Sequence, residues 1–167
     1  MRAGYKLISA IFSVALLSAP AGAQQLAKSG KYAGKIPNHG VAGAGQTYEL
    51  EKGHVFFLGP VNGVFLNDVA DGFLDKSEWT CPLVSDSVNG VHVADHGYCI
   101  ATDKDGDKAF IVFQAKGSAP GSGAGTAQFT GGTGKYSGLQ GNNTFHFTFI
   151  GKTPAAVTLW EGEWRLP

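Results

Sequence analysis

The sequence predicts an all-β protein in which some eight to ten antiparallel strands close into one barrel. Three observations lead there. Short apolar or alternating runs recur between clusters of Gly, Pro, Asn and Asp, at intervals that suit strands and hairpins. No segment holds a helical period for more than two turns. Two late hairpins can be registered from the sequence, and each gathers apolar side chains on one face. The 167 residues fit one domain, and an apolar content of 43% is too high for a disordered chain, while the 25 glycines show no collagen period. Thirteen basic residues against thirteen acidic ones argue against a nucleic-acid footprint.

Arg2 and Lys6 precede an apolar run over residues 7–19, and Ala21-Gly22-Ala23 offers small residues where a signal peptidase reads. Residues 1–23 are therefore expected to be a secretory signal peptide, cleaved after Ala23. Ser13, Ser18 and Pro20 interrupt the run short of the ~20 apolar residues a spanning helix needs. No later stretch approaches that length, so no membrane span is expected, and the product should be soluble and secreted or periplasmic. An oxidising compartment favours pairing of the only two cysteines, Cys81 and Cys99. Their midpoint is Gly90, so a hairpin turning within residues 85–95 would set them opposite each other on neighbouring strands. Closing that loop would contribute about 3 kcal/mol.

Residues 24–45 are polar and glycine-rich with a Pro37-Asn38 turn signal, and are expected to form an N-terminal arm anchored by Tyr32 and Ile36. The barrel domain is expected over residues 46–167. Its strands are expected over 46–50, 54–58, 61–66, 78–84, 91–93, 97–103, 108–115, 125–130, 144–150 and 158–165, with a short helical turn near 68–76.

Asp105-Gly106 is a strong hairpin signal, because a type I′ turn needs positive φ at both central positions. A two-residue turn there pairs Lys104 with Asp107 and Asp103 with Lys108, and sets Tyr98 against Phe113 and Ile100 against Ile111. The second hairpin joins Phe145-His146-Phe147-Thr148-Phe149 to Trp160-Glu161-Gly162-Glu163-Trp164. A six-residue loop closing Ile150 on Val157 puts Phe147 opposite Trp160 and Phe145 over Gly162, leaving His146 and Glu161 on a charged outer face. A sheet with one wet face must bury the other against a second sheet or against itself. A sandwich and a barrel both meet that need; the barrel also removes exposed edges.

The familiar chemical motifs are absent or broken. Asp103-Lys104-Asp105-Gly106-Asp107 has its glycine at the fourth position of a would-be calcium loop, which needs it at about the sixth, and Gln114 stands where a bidentate Glu is required. Residues 131–138 lack the first glycine and the hydroxyl of a P-loop, since Phe129 and Tyr136 occupy those positions. His39, His54, His92, His96 and His146 show no zinc spacing; His92 and His96 on one extended strand would lie about 13 Å apart. Glu161 and Glu163 read as a solvated face rather than an acid/base pair. Asn142-Asn143-Thr144 matches a glycosylation acceptor, which matters only in a eukaryotic secretory pathway. No metal and no cofactor is implied.

The glycine run continues through Leu139, Gln140 and Gly141 into an aromatic strand. This stretch, residues 125–150, resembles a segment of the allene oxide cyclase-like and dirigent-like barrels, where a GGTGKYSG-type phrase links two late strands. The hairpin from Tyr98 to Phe113 is also similar to small exported bacterial members of that superfamily. The resemblance implies an eight-stranded, calycin-like antiparallel barrel with an apolar interior. Plant cyclases of that family confine a reactive apolar epoxide, and dirigent proteins orient radical coupling partners; none of their catalytic residues maps onto a numbered position here.

Two functions follow. The first is a non-catalytic barrel that takes a small apolar ligand against inward rings, for which the candidates are Tyr98, Phe113, Phe145, Phe147, Phe149, Trp160 and Trp164. The second is a cyclase or isomerase acting on an apolar substrate by confinement. An inward Glu, His or Tyr beside the aromatic wall would favour chemistry, and a wholly apolar interior would favour storage or transport. Small barrels can be filled by side chains or hold one ligand, and the sequence does not decide which.

Overall fold

The structure, a computed structural model, describes residues 27–41 and 43–167. The expected signal peptide lies outside them. In chain order the elements are β1 (Ser29–Gly40), β2 (Gln46–Glu51), β3 (His54–Val64), β4 (Leu66–Asn67), β5 (Glu78–Val88), β6 (Val91–Thr102), β7 (Lys108–Ala119), β8 (Ser122–Gly132), a 3₁₀ turn η1 (Gly134–Tyr136), β9 (Gly141–Phe149) and β10 (Ala155–Arg165). Strands β3, β5, β6, β7, β8, β9, β10 and β1 pair in that order, and β1 returns to β3 through Asn38↔Gly63 and Gly40↔Val61. The result is a closed, eight-stranded antiparallel barrel. β2 lies alongside β3, and β4 alongside β1. No described helix is long and apolar enough to cross a membrane.

Several expectations change in detail. The expected N-terminal arm contains β1, which pairs with β10 along most of its length. Its inward positions Tyr32, Gly34, Ile36 and Asn38 alternate with Lys31, Ala33, Lys35 and Pro37, so the strand period was present but hidden by small and polar residues. The barrel domain therefore starts well before residue 46. Two pairs of expected strands fuse: Gly59-Pro60 runs through β3, and Ala94-Asp95-His96 through β6. Pro60 stands opposite Pro82, so the two residues without an N–H share one rung of the β3–β5 ladder. Residues 68–76 form successive turns rather than a helix.

Both hairpin registers shift. The Asp105-Gly106 hairpin pairs Cys99 with Ile111 and Tyr98 with Val112, one residue away from the expected register. Asp103 N–H bonds to Asp107 and Gly106 N–H to Asp103, with Gly106 at φ +85°. This is the three-residue loop with a left-handed glycine, not the two-residue turn. A one-residue slip exchanges the faces of a strand. Tyr98 is accordingly 62% exposed on the outer surface beside Val112, and is corrected from the list of interior rings. The β9–β10 hairpin is tighter by two residues, with Ile150 N–H closing on Ala155, so Phe145 faces Trp160 and Phe147 faces Thr158. An even shift keeps the faces, and Phe145, Phe147, Trp160 and Trp164 all point inward and are buried. The rings do lie over glycines, but those of β8: a Cβ on Gly125 would run into the Phe145 ring.

Cys81 and Cys99 form the expected disulfide, with Cα atoms 4.1 Å apart across β5 and β6. The turn beyond it is Asn89-Gly90, both at positive φ, as a tight two-residue hairpin requires.

Candidate ligand-binding site

The interior divides into two halves. At the end reached by Trp164 it is solid. Residues 66–77 fold across this end, and Phe73 stacks on Trp164 with ring centroids 4.3 Å apart. Its edges meet Tyr32, Phe129 and Tyr136 at 5.1, 5.7 and 5.8 Å. The plug is held by the Asp75 carboxylate, which accepts the Asn67 and Asp71 amides. Phe65, Leu139 and Ile111 are fully buried around it.

The motif-like segments close the same end. Asp103 accepts the Asp105 and Asp107 amides on one oxygen and the Tyr136 hydroxyl on the other. Lys135 Nζ lies 2.5 Å from Asp103 and 2.6 Å from Asp105, so the loop that resembled a calcium site holds a lysine ammonium. Burial works against the Asp103 charge, but the Lys135 contact, the Asp105 amide and the Tyr136 hydroxyl outweigh it and hold the carboxyl below its usual range. Burial, and then the Asp103 charge, pushes the Tyr136 phenol up.

Midway, Trp160 Nε1 donates to the Tyr32 hydroxyl and that hydroxyl donates to Asn143 Oδ1, each at 2.8 Å. Burial raises the Tyr32 phenol above its usual value, opposed by the Trp160 bond, so Tyr32 keeps the proton it donates. Phe145 stacks on Trp160 at 5.0 Å, and Trp79 meets Trp160 edge-on at the same distance. These three rings form a floor.

Above the floor is a cavity of about 340 Å³. Its wall includes Phe113, Phe147, Phe149, Ile36, Leu83 and the disulfide. Five of the seven expected interior rings, Phe113, Phe145, Phe147, Phe149 and Trp160, therefore line one space; Trp164 belongs to the solid half, and Tyr98 lies outside. A wider concavity of about 1370 Å³ runs along the outer side of β1 and β7–β10, where it includes Lys31, Gln114, Gln128, Glu161 and Glu163, the solvated face expected of the two glutamates, and it also reaches Tyr32, Phe73 and Trp164 at the plugged end.

Sequence reasoning missed the polar rim of the cavity. His92 Nδ1 lies 2.9 Å from Asp95 Oδ2 and 3.0 Å from Ser85 Oγ, and the His92 ring stacks on Phe149 at 5.5 Å with its edge toward Phe147. Asp95 and Ser85 are buried. Residues three apart on a flat strand face opposite sides, yet both His92 and Asp95 line the cavity. The cause is a bulge: Asp86 pairs with Ala94 and Ser87 with His92, so Val93 is an extra residue that resets the alternation of β6.

No protein-family model and no curated protein matches the sequence. Among solved structures, the pterocarpan synthase dirigent protein GePTS1 superposes with a TM-score of 0.52 over 86% of this chain and 93% of that one, at 10% identity. The fold is thus that of the dirigent-like barrels.

Proposed function

We propose that this protein is an exported, non-catalytic barrel that binds a small apolar ligand in the hollow half of its interior. The observation that carries the reading is the cavity of about 340 Å³ walled by Phe113, Phe145, Phe147, Phe149 and Trp160. Clefts of that size lined by aromatic side chains with a few polar groups suit small-molecule binding. The dirigent-like fold supports a ligand-holding role. Export rests on the leader and agrees with the Cys81–Cys99 disulfide.

Trp79 and Trp160 both line the cavity, so their fluorescence reports occupancy. Titration with neutral terpenoids, small aromatics and fatty acids should give a saturable change for at least one class. No saturable change across all three would end the reading. A cyclase or isomerase acting by confinement is the second reading, and the inward His92 and Asp95 are the observation that favours it. Turnover of a bound apolar substrate, lost in His92→Phe, would decide for it.

A further inference from the structure

The rim gives the cavity a chemical polarity that a purely apolar ligand would leave unused. We infer that the ligand is an uncharged apolar molecule bearing a hydrogen-bond donor, a hydroxyl, which it presents to His92 Nε2. The inference rests on the binding reading above and deepens it.

A neutral imidazole carries one N–H and one acceptor nitrogen, and the partner of one nitrogen sets the role of the other. Asp95 offers only acceptor oxygens to Nδ1, at 2.9 and 3.1 Å, so Nδ1 carries the hydrogen. In the neutral ring Nε2 is then the acceptor, and it has no protein partner among the described residues. Ring stacking on Phe149 and the edge contact with Phe147 fix the plane in which that lone pair lies.

A second acceptor stands at the same level. Asn38 lies opposite Ala156, and Ala156 opposite Phe149, whose ring carries His92. Asn38 gives its amide N–H to Thr158 Oγ1, which leaves Oδ1 buried with no partner. Buried acceptors without partners are costly, so a ligand that donates there is selected over one that cannot.

Charge narrows the class further. His92 and Asp95 are the only ionisable side chains among the described residues lining the cavity, with no Lys or Arg to receive a ligand carboxylate. The Asp95 carboxylate already holds the one imidazole. An anionic ligand such as a fatty acid would enter an apolar space with no free cation, which is disfavoured.

Borneol and camphor share one bicyclic skeleton and differ in that the first donates a hydrogen bond and the second only accepts. Calorimetric titration should find borneol bound about tenfold more tightly, and the borneol preference should vanish in His92→Phe, which keeps the ring stack. Asp95→Asn, whose amide can donate to Nδ1 and so let Nε2 carry the hydrogen, should shrink the preference. Equal binding of the two, tighter camphor binding, or an undiminished preference in both folded variants would overturn the inference and leave the binding reading intact. Failure of both compounds, together with the terpenoids, aromatics and fatty acids above, would overturn the two together.

Discussion

The two halves of this barrel use similar residue types for opposite ends. In the solid half, Phe73 reaches in from residues 66–77 and meets Trp164, Tyr32, Phe129 and Tyr136 on several sides. In the hollow half, Phe113, Phe147 and Phe149 stand on their own strands with no inserted ring between them, and a cavity of about 340 Å³ remains. Aromatic content alone therefore does not distinguish a filled barrel from a hollow one; a plugging segment does. The hollow half has other supports, namely the disulfide across β5 and β6 and the stacked floor of Phe145 on Trp160.

Substitutions matched across the two halves should separate them. Phe73→Ala removes the centre of the solid half and should cost about 3–5 kcal/mol, read by chemical denaturation. Replacing both cysteines by alanine should cost about 3 kcal/mol by the same measurement, because the bridge closes a loop in the half with least packing. Phe147→Ala enlarges a space that already exists, and should cost only about 2 kcal/mol while weakening ligand binding. Its exposed neighbour on β9, His146→Ala, should stay within about 0.5 kcal/mol. A Phe147→Ala cost equal to that of Phe73→Ala would mean that both halves are packed alike.

The smallest effect concerns pH. Asp103 closes the solid end, and its folded-state carboxyl lies below the usual range. Its contribution is therefore complete above the ordinary carboxylate range and is lost as pH falls through that range toward the lower folded-state value. Denaturation midpoints of the wild type and Asp103→Asn should differ at neutral pH and converge in acid. A constant difference down the pH scale would show that Asp103 acts by packing alone.

The sequence carried the closed antiparallel sheet because strand alternation and turn residues are local. It carried the inward faces of β9 and β10 for the same reason, and an error of two residues in the loop left those faces unchanged. Tyr98 was lost to an error of one residue: Asp105-Gly106 fits a two-residue or a three-residue loop, and the Asp103 carboxylate that accepts the Asp105 and Asp107 amides in the longer loop is itself held by donors distant in sequence, Lys135 and the Tyr136 hydroxyl. β1 was concealed because Gly34 must stay small under the Phe65 ring, which would lie 2.7 Å from a Cβ there. The rim of the cavity was the least legible part. His92 and Asp95 share a face only through the bulge at Val93, and a bulge leaves no mark on hydrophobic periodicity.

The division of the interior can be observed directly by diffraction from crystals held under xenon, since the gas enters apolar cavities and scatters strongly. Xenon is expected between Phe113, Phe147 and Trp160, and not beside Phe73 and Trp164. Xenon at the Phe73 end, or an interior without xenon at either end, would contradict this division.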